Sequence, residues 1–218
     1  MLLTRRLLQL VVGLALYGVA LALMVRASIG VAPWDVLTLG IVKQTGLAYG
    51  WVIFGTSLVV LLFWIPLRQR PRFGTVANTL MIGPAADLAL RALPTQTVWW
   101  AQGLTFALGL LLLAVASGLY IGADFGPGPR DGLMLGLHAR LGWRVGVART
   151  SIEVTVLAVG WLLGGQVGIG TAAEALLIGP LVALTLPLFD GRRRAARRQP
   201  RAGDEVDPKT GDPLVTLV

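Results

Sequence analysis

Long apolar runs dominate the chain, and polar residues are concentrated between them. Four of these runs are strongly apolar, and two more are rich in Gly and Ala and carry single polar residues. A membrane-spanning helix needs about 20 mostly apolar residues, and weak hydropathy with many small residues is typical of a helix inside a bundle. The pattern therefore predicts six spanning helices, at residues 7–25, 47–67, 74–93, 99–121, 145–163 and 168–189.

Two further segments, 30–46 and 126–142, are too short to cross a bilayer. Each opens with Gly and Pro, continues with mostly apolar residues and closes on Gly. Such segments are typical of half-helices that enter the membrane and return, or of buried interfacial helices. We expect the backbone of these half-helices to begin at Gly30 and Pro33 and at Gly126 and Pro129.

The two halves of the chain are copies of one unit. Displacing the sequence by 96 residues aligns the halves without gaps from Gly13 to Phe189. Shared Gly, Pro and Asp at one offset are difficult to obtain from composition alone. Three spans in each copy place the second copy on the opposite side of the membrane from the first. The sequence thus predicts an all-α polytopic protein with two inverted three-helix repeats, 1–95 and 96–190.

The distribution of charged residues supports this topology and argues against nucleic-acid binding. The chain is 55% hydrophobic and 14% charged, with a net charge of +8, whereas soluble domains carry about 25% charged residues. Lys and Arg lie at the edges of apolar runs, which by the positive-inside rule places both termini inside, with Arg26 and Lys43 as exceptions. We expect the Arg-rich flanks to contact anionic lipid headgroups. Aromatic residues are rare among these cations, so nucleic acid is not an expected partner.

The two ends of the chain need separate interpretations. Arg5 and Arg6 precede an apolar run, as in a signal peptide. That run is longer than a typical signal sequence and belongs to the repeat, so a retained first span is favoured. Residues 191–218 are Arg-rich and then mixed in charge without apolar period, which predicts a disordered cytoplasmic tail.

Three segments resemble a known family. GVAPWDVL near residue 30, GPGPRDGLMLGL near residue 126 and GIGTAAEALLIGP near residue 168 are similar to the YczE-type bacterial membrane proteins, which are relatives of the YitT group. The resemblance covers most of residues 7–189. It implies a multi-pass protein of the bacterial cytoplasmic (inner) membrane and implies no particular substrate.

Asp35 and Asp131 form the clearest candidate pair, because each follows a proline by two residues in its half-helix. A carboxylate in the first turn stabilises a helix and can cap its free N–H groups. The other interpretation is a cation or proton site formed by two symmetry-related carboxylates.

Other ionisable residues lie in or near the predicted spans, where charge is costly. Arg130 replaces the Trp34 of the first repeat; it can hold an anionic substrate or lipid headgroup, or pair with Asp131. Arg149 and Glu153 are four residues apart, which favours an ion pair. Glu174 has no obvious local partner and is the preferred proton- or cation-binding candidate, with Asn78 as its match in the first repeat.

The function predicted from this architecture is a transporter- or channel-like protein for a small solute, ion or lipid, with its site between the half-helices. The alternative is a non-transporting scaffold or regulator that acts through its tail and its helix contacts, with possible homo-oligomers. We expect no enzyme, because the chain lacks the usual catalytic motifs, although catalysis on a lipid remains a third hypothesis. A chain without Cys and with one His also predicts no metal site, and we expect no cofactor.

Overall fold

The computed structural model describes residues 2–189 and contains only helices there. All eight predicted segments are helical, which confirms the all-α class. Residues 191–218, the predicted tail, lie outside the described residues. The helices are α1 (Leu2–Ala27), α2 (Pro33–Thr45), α3 (Tyr49–Trp64), α4 (Phe73–Ala92), α5 (Trp99–Gly122), α6 (Pro129–Leu141), α7 (Val145–Leu162) and α8 (Ile169–Phe189).

Four described helices, α1, α5, α7 and α8, are long and apolar enough to cross a membrane. Helices α2 and α3 are joined at a bend of 117°. Only the two together are long and apolar enough to cross a membrane, as a broken span or a re-entrant loop. Helix α4 has 20 residues, but Asn78 and Asp87 make it less apolar. By length and composition the described part of the chain therefore has four or five candidate spans, and six spans remain a prediction.

The two short helices begin and end for the same local reasons. Pro33 and Pro129 occupy the first turns of α2 and α6, where a fixed φ and a missing N–H cost nothing. Gly46 and Gly142 end the helices in the left-handed conformation, with φ of 71° and 69°. Glycine adopts that conformation without steric strain, so both half-helices stop at 13 residues.

The two halves of the chain exchange matching backbone hydrogen bonds. The Gly74 N–H donates to the Phe125 carbonyl at 3.0 Å, and the Gly170 N–H donates to the Ile29 carbonyl at 2.8 Å. Each donor and acceptor in the second bond lies 96 residues from its counterpart in the first, with the halves reversed. These bonds join the start of α4 to the segment before α6, and the start of α8 to the segment before α2.

Helices α1 and α5, which are equivalent in the repeat, pack against each other and run antiparallel. Gly13 of α1 lies against Ala116 and Tyr120 in the C-terminal part of α5. Gly109, in the middle of α5, lies against Leu23 and Met24 near the end of α1. Glycine at both points lets the backbones approach closely, as in many membrane bundles.

Each half-helix packs against the third helix of the other half. Helix α2 contacts α7, and α6 contacts α3. A Cβ at Gly160 would overlap the backbone of Leu37, and a Cβ at Gly132 would overlap the indole of Trp64. The absence of a side chain at Gly160 and Gly132 therefore permits close helix contact at these positions.

Arg26 and Lys43, the exceptions to the positive-inside pattern, both lie at helix C-termini. The Arg26 guanidinium donates to the Leu90 carbonyl near the end of α4 and to the Thr95 hydroxyl. Lys43 lies against Gly164, directly after α7. Cations stabilise the negative end of a helix dipole and its free carbonyl groups, which is a structural reason for both positions.

The contact between α6 and α3 predicts opposite effects for two glycine substitutions. Gly132→Ala should destabilise the protein by about 1–3 kcal/mol, because the new methyl group overlaps Trp64. Gly103→Ala is the matched control in α5; its Cβ would meet open space, so it should be neutral or add up to about 1 kcal/mol. Unfolding in detergent micelles measures both, and equal stability of the two variants would contradict the close α3–α6 contact.

Candidate functional site

A polar cavity of about 240 Å³ lies in the interior of the helical bundle. Helices α1, α3, α4, α5, α6, α7 and α8 contribute to its wall. Polar side chains are costly in the apolar interior of a membrane protein and are usually associated with function. The polar residues that line the cavity are Tyr17, Ser57, Asn78, Ser117, Tyr120, Arg130, Asp131 and Arg149.

Half-helix α6 begins at the cavity and brings two charged residues to it. Arg130 and Asp131 both lie in the first turn, directly after Pro129. The Tyr120 hydroxyl donates to Asp131 Oδ2 at 2.6 Å, and the Tyr17 ring meets the Tyr120 ring edge-on at 6.1 Å. The position of the Asp131 carboxylate is thus set by α5 as well as by its own helix.

Asp35, the counterpart of Asp131, lies behind the cavity wall. Its side chain is 2% exposed and accepts a hydrogen bond from the Tyr49 hydroxyl at 2.9 Å. Arg130 Nη2 lies 4.0 Å from Asp35 Oδ1, and the Arg130 guanidinium lies 4.9 Å from the centre of the Trp34 ring. Arg130 therefore connects the two half-helices through an ion pair and a cation–π contact.

One alternative for these residues is wrong: Arg130 does not pair with Asp131 beside it, and its ionic partner is Asp35 in the other half. Both aspartates lie in the first turns of their helices, as predicted. The side-chain hydrogen bond that each accepts comes from a tyrosine. Tyr49 and Tyr120 do not match each other across the repeat, so the repeat alignment did not predict them. In the sequence, these tyrosines could be noticed because each places a hydroxyl group within a mostly apolar run.

Arg149 and Glu153 form the ion pair that their spacing predicts, with Nε and Oε1 2.9 Å apart. Arg149 lines the cavity, whereas Glu153 does not. Glu174 is 7% exposed, and within residues 2–189 no group donates a hydrogen bond to it. It interacts electrostatically with Asp35, Glu153, Arg149 and Arg130. Asn78, its match in the repeat, lines the cavity beside Gly128.

Much of the polar lining departs from the repeat symmetry. Residues shared by the two halves, chiefly Gly and Pro, shape the helices, whereas five of the eight polar lining residues have an apolar counterpart in the other half. Asp131, Ser57 and Asn78 have polar counterparts, so the site depends on changes in one copy for most of its lining but not for all of it. The five cavity residues, each with its apolar counterpart, are Tyr17 and Leu113, Ser117 and Leu21, Tyr120 and Met24, Arg130 and Trp34, and Arg149 and Ile53.

Apolar helices of spanning length around a buried polar network define an integral membrane protein of the helical class. The profile of the family described as "Family of unknown function (DUF6198)" matches residues 4–187, and the chain belongs to this family. No solved structure matches the chain.

Relatives in two bacteria confirm the YczE-type resemblance. An uncharacterized protein of Haemophilus influenzae is 36% identical over 180 residues, which is 83% of each chain. The uncharacterized membrane protein YczE of Bacillus subtilis is 33% identical over 172 residues, 78% of this chain and 80% of its own. The uncharacterized protein YyaS of the same bacterium is 23% identical over 184 residues, 82% of this chain and 91% of its own.

The two tyrosine–aspartate bonds should differ in their contribution to stability. Tyr49→Phe leaves the fully buried Asp35 without its hydroxyl donor and should cost about 1–3 kcal/mol. Tyr120→Phe should cost less, because Asp131 is exposed and remains accessible to water. Tyr17→Phe is the control, since no described group hydrogen bonds to its hydroxyl. Unfolding in detergent gives the three values; a Tyr49→Phe effect no larger than that of Tyr17→Phe would show that Asp35 does not depend on this bond.

Proposed function

We propose that the chain is a transporter of a small solute in the bacterial cytoplasmic membrane, with two inverted repeats, six spans and both termini inside. Its binding site is the polar cavity at α6, and access alternates between the two sides of the membrane. The observation that carries this proposal is a difference between two equivalent helix interfaces, α3–α4 in the first half and α7–α8 in the second.

The α3–α4 interface is closed. Gly50 and Gly83 touch through their backbones, and a Cβ on either residue would overlap the other. The Gly50 N–H also donates to Asp87 Oδ1 at 2.8 Å, which places a carboxylate at the N-terminus of α3, where negative charge is favourable. The interface is thus closed by the backbone contact of two glycines and stabilised by one hydrogen bond to the Asp87 side chain.

The α7–α8 interface is open at the same place. Gly146 and Gly179, the counterparts of Gly50 and Gly83, have open space where a Cβ would lie. Arg149 on α7 and Gly179 on α8 line the polar cavity, so the cavity extends into this gap. Ala183 stands where the first half has Asp87, and its methyl side chain offers no acceptor for a hydrogen bond of that kind.

Because the proposed repeats are inverted, the closed and the open interface face opposite sides of the membrane. The antiparallel contact of α1 with α5 and the reciprocal backbone bonds support a pseudo-two-fold relation between the halves. With both termini inside, the closed α3–α4 interface faces outward and the open α7–α8 interface faces inward. Exchange of the two conformations between the repeats would close one and open the other around a fixed site.

The topology predicts the side from which two loops can be labelled. The chain has no native Cys, and Arg70 and Thr97 are both exposed. Arg70→Cys should react with a membrane-impermeant thiol reagent only from the cytoplasmic side, and Thr97→Cys only from the outer side. Reaction of both from one side would rule out the inverted orientation of the repeats.

Two glycine substitutions should shift the access equilibrium in opposite directions. Gly179→Leu fits the open gap but blocks its closure, so it should hold the inward-open state. Gly83→Ala overlaps Gly50 and should favour the outward-open state. Ser117→Cys in the cavity wall is the reporter: we expect inside-only labelling with Gly179→Leu and a severalfold gain in outside labelling with Gly83→Ala.

Gly103→Leu, which faces open space on α5, is the control for bulk alone and should label as the parent does. Identical sidedness of Ser117→Cys in all variants would exclude alternating access. The scaffold hypothesis would then be favoured, and it predicts loss of function when residues 191–218 are deleted.

A further inference from the structure

We propose that the cavity binds a small organic anion, through a carboxylate or phosphate group at one end and a hydrogen-bond donor at the other. This inference rests on the proposed function, because it takes the cavity to be the solute site. It names the substrate class from the charge distribution around that cavity.

The cavity wall is cationic, whereas most of the nearby acids lie behind it. Arg130 and Arg149 both line the cavity. Their ionic partners, Asp35 and Glu153, do not line it. A solute in the cavity would therefore meet two guanidinium groups first. Arginine binds carboxylate and phosphate through two parallel N–H···O bonds, which fixes both the position and the angle of the anion.

The Arg130 guanidinium is free to make such bonds. Its separation from Asp35 is 4.0 Å, which exceeds the range of a hydrogen bond, and no other group in residues 2–189 accepts from it. The guanidinium carbon lies over the Trp34 ring, 4.9 Å from its centre. An arginine that is held beside a ring and has its counter-charge 4.0 Å away, yet donates to no described acceptor, has its hydrogen-bond donors available for an oxyanion.

The first turn of α6 adds donors at the same place. The backbone N–H groups of Arg130 and Asp131 have no acceptor in the described part of the chain, and the turn itself lines the cavity. In α2 the equivalent Asp35 N–H is bonded to the Ala32 carbonyl at 2.8 Å. Free N–H groups at a helix N-terminus favour negative charge, and here they lie beside the guanidinium.

Asp131 requires a donor from the solute. Its Oδ2 atom accepts from Tyr120, and as a carboxylate it has further acceptor capacity. Because Asp131 also lines the cavity, a solute with only negative groups would be repelled there, and a hydroxyl or ammonium group would be attracted. The cavity volume of about 240 Å³ fits a small solute.

Binding to the purified, detergent-solubilised full chain tests the inference. The probes are lactate for a hydroxycarboxylate, glycerol 3-phosphate for a phosphate, and choline and glycerol as the cationic and neutral counterparts. We expect at least one of the two anions to bind at least tenfold more tightly than choline and glycerol in calorimetric titration. Which of the two binds more tightly distinguishes carboxylate from phosphate.

Variants link the binding to the two arginines. Arg149→Gln removes a half-exposed guanidinium, and Arg130→Lys keeps the charge that Asp35 needs while removing the planar pair of donors. Each should weaken anion binding at least tenfold. Arg70→Gln, an exposed arginine outside the cavity, should leave the Kd unchanged and controls for net charge.

Three results would overturn the inference: tighter binding of choline than of either anion, no saturable binding of either anion, or anion affinity that Arg149→Gln and Arg130→Lys leave unchanged. These results are separate from the labelling experiment, which needs no solute. Alternating access with no anion binding would reject this inference alone. Anion binding without alternating access would reject the transport mechanism and retain the site.

Discussion

An arginine inside an apolar bundle imposes a constraint that the rest of this site follows. Placing a charge at the centre of a membrane helix costs about 2.5–3.5 kcal/mol on insertion scales, so Arg130 requires compensation nearby. That compensation comes from Asp35 and Trp34 in the other half of the chain. The two half-helices must therefore meet tip to tip, and Asp35, which is 2% exposed, in turn requires the Tyr49 hydroxyl. One charge thus links α2, α3 and α6.

Close backbone contact makes this arrangement possible in an apolar solvent. Between membrane helices the hydrophobic effect gives little drive, and packing and hydrogen bonds replace it. Glycines let α2 cross α7 and α6 cross α3, while the backbone bonds at Gly74 and Gly170 satisfy polar groups at the helix starts. The irregular segment before α2 is largely buried in the protein, and the segment before α6 is partly buried, which limits the exposure of their backbone to an apolar surrounding.

Residues shared by the two halves of the chain and residues that differ between them have separate roles. The shared Gly and Pro residues build two similar frames, and most of the polar cavity residues have an apolar counterpart in the other copy. The two copies also differ in conformation, since Gly50 and Gly83 touch whereas Gly146 and Gly179 have open space where a Cβ would lie. The proposed alternation between the two sides of the membrane rests on this difference.

The sequence by itself determined the class, the eight helices and the repeat, because apolar length, proline and glycine act locally along the chain. It also predicted Arg149 with Glu153, since both lie on one helix turn. The tertiary structure alone decided that Arg130 pairs with Asp35 rather than with its neighbour Asp131, and that two unmatched tyrosines hold the aspartates. It alone decided which interface is open. These features join residues far apart in the chain, and their distances depend on how the two halves cross.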